Sequence, residues 1–220
     1  MHFVLHHPRV EKNRCKIGLI KKPFIYHPLD TPVDSVFTSD IVFLVDSSAN
    51  VSRVEFQLEK AFVRRLMTLL NVSPGGSRTS LITYGDQARV VFLFDIYLRK
   101  KALDNAVLNA TFVGGGRRMD KAISTAEEAF KFALPQTPKL LILLSSGRQE
   151  PGAGRLDVVS QPLLSQGVRT CIISIGENID YFEIRPAVER ATDILKVVSF
   201  YDLESQVVPT ATKIKSGSCC

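Results

Sequence analysis

The chain has 220 residues, 45% hydrophobic and 23% charged, with a formal net charge of +6. That composition suits a globular chain with a sizeable core and excludes disorder or fibrous repeats as the main state. The longest apolar runs, 41–45 and 140–144, have strand length and fall far short of the roughly 20 residues a membrane span needs.

Residues 1–38 differ from the rest. They hold all four histidines, several prolines and many basic residues, with no sustained periodicity. This segment reads as an irregular basic arm or linker. The apolar start MHFVL is too short for a signal peptide, so a secreted protein would make Met1 an isoform or fragment start. The positive excess, weighted to this arm, favours anionic surfaces and selects none.

From residue 39 strands and helices alternate. DIVFLVD, at 40–46, is a continuous apolar run, as expected for a strand covered on both faces. The helix that follows places Val54, Leu58, Phe62, Leu66 and Leu69 at helical spacing, with a capping box from Ser52 to Glu55. TSLITYG and ARVVFLF read as a hairpin about Gly85-Asp86-Gln87. A short helix follows Arg99, and after VGGGRR comes one carrying Ile123, Ala126, Phe130 and Ala133. KLLILLS is a second buried strand. Helix is expected over 156–165, strand over RTCIISI, helix over 184–191 and strand over ILKVVSF. A last helix starts near Asp202, and Pro209 should kink or end it. The fold class is therefore α/β: a doubly wound, mostly parallel central sheet with one antiparallel edge strand and helices on both faces.

In such sheets ligands sit beyond the C-terminal ends of the strands. Three loops qualify: VDSSANVS, GGGRRMD and SSGRQEPG. The glycine run lacks the GK[ST] ending of a P-loop and the GxGxxG of a dinucleotide fold, so it reads as a turn. A Ser-His-Asp triad would need a histidine from the arm, and no carboxylate pair suits glycoside hydrolysis. An enzyme is not expected.

DIVFLVDSSANVSRVEF resembles the opening of a von Willebrand factor type A domain. SLITYGDQARVVFLF, VGGG with KAI, LLILLSSGRQE and GVRTCIISIG follow in the family's order, over about 39–214. The wording is most similar to the matrix branch, the modules of collagen VI-type chains and matrilins. Domains are set at 1–38 for the arm, 39–215 for the type A domain and 216–220 for a cysteine-containing tail.

The resemblance implies a metal-ion-dependent adhesion site that holds Mg²⁺ or Mn²⁺ through oxygen ligands. Carried over residue by residue, Asp46 and Ser48 match and Asn50 replaces the second serine. The loop threonine falls on Arg117, or on Gly116 with a one-residue slip, and the second aspartate falls on Ser146. The site is degenerate, and the expectation is that no metal cofactor is held. Arg117 or Arg118 is expected to pair with Asp46 in place of the metal. The plainer reading makes Asp46 and Ser48 turn formers and the two arginines solvated charges.

The expected function is a non-enzymatic, metal-independent adhesion or assembly module of the secreted extracellular matrix. Its expected partners are collagens, other matrix proteins or sister type A domains, with no nucleic acid and no membrane span. Two alternatives stay open: a Mg²⁺-dependent module using Asp46, Ser48 and Asn50, and an intracellular scaffold of the same fold. Residues 98–101, Arg64-Arg65 and Arg117-Arg118 are candidates for a heparin-like glycosaminoglycan patch. Asn50, Asn71 and Asn109 head glycosylation sequons. Cys171 falls in a buried strand, where cysteine acts as a small hydrophobe. Cys15, Cys219 and Cys220 are the disulfide candidates.

Overall fold

The computed structural model describes residues 37–97 and 99–217. Its six strands are β1 (Asp40–Asp46), β2 (Arg78–Tyr84), β3 (Ala88–Phe92), β4 (Lys139–Ser145), β5 (Arg169–Ile175) and β6 (Ile194–Val197). They form one sheet in the order β3-β2-β1-β4-β5-β6. All neighbours are parallel except β2 and β3. The expected α/β doubly wound sheet with one antiparallel edge strand is the observed architecture.

Alternation along β1 explains why its run is apolar throughout. Ile41, Phe43 and Val45 enter one core cluster, and Val42 and Leu44 enter the other, so both faces are buried. The first face is covered by α1 (Arg53–Leu69), α2 (Lys100–Leu108) and α7 (Leu203–Lys215). The second is covered by α3 (Met119–Phe130) and the short helices α4 (Leu156–Val159), α5 (Gln161–Ser165) and α6 (Tyr181–Ile184). Ser52 caps α1 as expected, accepting from the Glu55 N–H while the Glu55 carboxylate accepts from the Ser52 N–H.

Several expectations need correction. The buried stripe of α1 is Phe56, Glu59, Lys60, Phe62, Val63, Leu66 and Met67, while Val54 is 60% exposed and Leu58 and Leu69 are half-buried. The helix expected at 156–165 is two short helices divided at Ser160. In place of a helix over 184–191, α6 ends at Ile184 and gives way to a 3₁₀ turn at Arg185–Ala187, with Pro186 inside it. Pro209 does not end α7, which continues to Lys215; the proline is exposed there. Among the described residues no helix is long and apolar enough to cross a membrane.

Candidate functional site

Strand order reverses between β1 and β4, and doubly wound sheets open a crevice beyond the strand ends at that point. Asp46 ends β1 and Ser145 ends β4, so the sequence's first and third candidate loops meet there. The glycine loop is laced across them by its backbone. The Gly114 N–H donates to the Ser47 carbonyl, the Ala49 N–H to the Gly115 carbonyl and the Arg118 N–H to the Gly85 carbonyl. Gly114 and Gly115 have φ of 79° and 73°, the left-handed region that glycine enters without a Cβ penalty. The run is a turn that delivers Arg117 to the crevice.

Arg117 points inward, only 3% exposed. Its Nε donates to Asp46 Oδ2 at 2.6 Å, its Nη2 to Ser146 Oγ at 2.8 Å and its Nη1 to the Arg148 carbonyl at 3.1 Å. Ser146 Oγ in turn lies 3.5 Å from Asp46 Oδ2. The other carboxylate oxygen, Asp46 Oδ1, accepts the Ser48 N–H at 2.9 Å. Arg118 takes a different partner, Asp120, through two bonds of 2.8 and 2.6 Å. So Arg117 and not Arg118 meets Asp46.

Two further residues shape the site and were not singled out from the sequence. Gly147 is buried against the guanidinium: a Cβ there would stand 2.4 Å from Arg117 Nη1. Glu59 of α1 is fully buried, and neither carboxylate oxygen has a hydrogen-bond partner. Burial, and then the Asp46 charge, push its carboxyl well above the usual carboxylate range, against the pull of Arg117. The phenol of Tyr84, which donates to the Leu144 carbonyl at 2.7 Å, is likewise raised by burial and by Asp46.

A divalent cation of the hard type needs several oxygen ligands and carboxylate charge to offset its own. Of the positions carried over from the family's site only Asp46 is a carboxylate, and both of its oxygens are already engaged. The crevice also holds a guanidinium, which has five donors, no lone pair and a fixed positive charge. The donor set as it stands does not fit such a cation. One atom is left over: Ser48 Oγ is buried and has no hydrogen-bond partner. Asn50 is exposed and lines a polar cavity of about 840 Å³ above Arg117, together with Ser146, Arg148, Glu150 and Glu177.

The von Willebrand factor type A domain profile matches residues 40–203. The chain belongs to that family. Relatives of this type A domain include mouse von Willebrand factor A domain-containing protein 2, 27% identical over 74% of this chain and 21% of its own length. Mouse matrilin-3 is 32% identical over 50% of this chain and 24% of its own. The human collagen alpha-5(VI) chain is 26% identical over 82% of this chain and 7% of its own. The chain thus spans a minor part of each. Among solved structures, proximal thread matrix protein 1 from the mussel byssus superposes with a TM-score of 0.74 at 19% identity, over 80% of this chain and 48% of that one. Another structure of the same protein is described as having a zinc-occupied MIDAS motif, the metal-ion-dependent adhesion site, and superposes at 0.72 with 20% identity. At such identities these two likenesses establish the fold.

The remaining expected residues fall as follows. Asn109 is exposed, and Asn71 is half-buried in a tight turn with φ of 58°. Cys171 is buried on β5. Cys15, Cys219, Cys220 and most of the arm lie outside the described residues, as does Leu98 of the glycosaminoglycan candidate. Of that candidate patch, Arg117 is buried at the crevice, Arg118 pairs with Asp120, Arg65 pairs with Glu204, Arg64 and Lys100 both face Asp104, and Arg99 and Lys101 are exposed.

Proposed function

We propose that this type A domain is a non-enzymatic protein-interaction module of the extracellular matrix whose crevice works without a metal. The observation that carries the reading is the Arg117 guanidinium, which takes Asp46 and Ser146 at 2.6 and 2.8 Å where the resemblance puts a metal and its ligands. A buried arginine bonded to both loops holds them in one arrangement, which is the structural part of a metal's role. The matrix relatives support collagens, matrix glycoproteins or sister type A domains as partners, and a secreted location.

The test is solid-phase adhesion of the chain to collagen VI and to recombinant matrilin type A domains, with and without EDTA. Adhesion that survives the chelator supports the reading; adhesion abolished by EDTA and restored by Mg²⁺ overturns it. One observation favours a second reading, in which Asp46, Ser48 and Asn50 hold Mg²⁺ after Arg117 swings out. Ser48 Oγ is buried with no partner, the condition of a ligand atom awaiting its ion.

A further inference from the structure

Where α1 packs against α2 a groove of about 400 Å³ opens, lined among others by Arg53, Phe56, Lys60, Asn109, Thr111 and Phe112. It shares no lining residue with the cavity above Arg117. Its floor is aromatic: Phe56 and Phe112 meet edge to face, with centroids 5.5 Å apart. Each ring carries a cation. Arg53 Cζ stands 5.1 Å from the Phe112 centroid, and Lys60 Nζ stands 4.7 Å from that of Phe56.

No lining residue is Asp or Glu. Lys60 Nζ donates to the carbonyls of Leu108 and Ala110 at 2.6 and 3.4 Å, which closes the C-terminal end of α2 and leaves one of its three N–H groups over. Arg53 is exposed and has no ion pair or hydrogen bond among the described residues. Burial lowers the Lys60 pKa, the mark of a cation without a counter-charge. The groove thus sets two cations over an aromatic floor with no acidic residue in its lining.

We propose that this groove takes the acidic side chain of a protein partner. The carboxylate lies against the exposed Arg53, in the field of the buried Lys60 beneath it, and the methylene stem packs on the half-buried Phe112, whose ring rests on Phe56. Protein is favoured over a sulfated polysaccharide for two reasons. The volume is at the small end for ligand sites, room for one side chain and not for a row of sugars. Three of the other cations on α1 and α2 face carboxylates, Arg64 and Lys100 facing Asp104 and Arg65 facing Glu204, and the exposed Arg99 and Lys101 sit at the opposite, N-terminal end of α2 from the groove's Leu108 and Asn109. The inference does not depend on the metal question at Asp46.

The test uses the isotope-labelled full chain and three probes: N-acetylglutamate N-methylamide, its uncharged glutamine analogue, and a heparin tetrasaccharide. The expected result is saturable NMR shifts at the Arg53, Phe56 and Phe112 amides with the glutamate probe. Binding should be about tenfold weaker with the glutamine analogue and with an Arg53→Gln variant, the loss expected for one charge-assisted contact. Arg53 is exposed at the start of α1, so this variant keeps the fold, checked by unchanged shifts in the β-sheet. Equal binding of both amino-acid probes, no shift at these amides, or tighter binding of the tetrasaccharide at the same amides each overturns the proposal. The contrast between the first two probes needs no variant.

Discussion

Arg117 Nε donates to Asp46 Oδ2 at 2.6 Å with both side chains out of water, so the crevice at the head of the sheet is held by a buried ion pair. β1 repeats the arrangement at its other end, where Asp40 is buried and takes the Nε of Arg78 at 2.8 Å and the Leu134 N–H at 2.7 Å. The two pairs differ in what surrounds them. Asp40 closes a strand start, whereas Asp46 sits at the strand-order reversal, where three loops converge. A buried pair of this kind is costly to break from one side, because the remaining charge is stranded.

Arg117→Met should therefore destabilise the fold by about 3–5 kcal/mol, the cost of a buried carboxylate left unpaired. The double change Arg117→Met with Asp46→Asn should cost clearly less than Arg117→Met alone. Urea unfolding of the three proteins checks this. Equal midpoints for native and Arg117→Met would mean the pair contributes nothing.

Gly147 is the residue that makes room for the guanidinium. Gly147→Ala places a Cβ 2.4 Å from Arg117 Nη1, an overlap expected to cost about 1–3 kcal/mol. In an Arg117→Thr background the obstacle is gone and most of that cost should vanish. A double-mutant cycle measures the coupling. An alanine penalty of the same size in both backgrounds would assign it to the loop backbone and not to Arg117.

Glu59 gives a pH signature. Its folded-state pKa is raised above the unfolded value, chiefly by burial, so the folded state binds the extra proton. Its contribution is flat below the ordinary glutamate value near 4.5 and becomes steadily less favourable as pH rises from there toward the folded-state pKa. Glu59→Gln keeps the shape and removes the proton. The stability difference between variant and native protein should grow in the variant's favour as pH rises from about 4.5 toward the folded-state pKa. A difference independent of pH would mean that Glu59 ionises as readily folded as unfolded.

Much of the fold was legible because both faces of the parallel strands are buried, which turns β1, β4 and β5 into unbroken apolar runs. The site was legible only through the order of its loops. Spacing alone could not choose between Arg117 and Arg118; the choice depends on the positive φ angles of Gly114 and Gly115, which turn Arg117 inward and leave Arg118 to Asp120. The stripe of α1 was misassigned for a related reason. Its buried face carries Glu59 and Lys60, which an apolar count passes over, while Val54 supplies an apolar residue to the rim. A stripe drawn through Phe56, Val63, Leu66 and Leu70 would have exposed both charged residues as core positions. Loop closure by Gly147 leaves no periodic signal at all.

The most direct measurement is a calorimetric titration of the native chain with Mn²⁺ and Mg²⁺, beside a variant carrying Arg117→Thr and Ser146→Asp. That variant removes the guanidinium and supplies the second carboxylate, the two things the native donor set lacks. The account predicts no binding heat from the native chain at millimolar metal and a saturable heat from the folded variant. Saturable heat from the native chain, or silence from the folded variant, would contradict it.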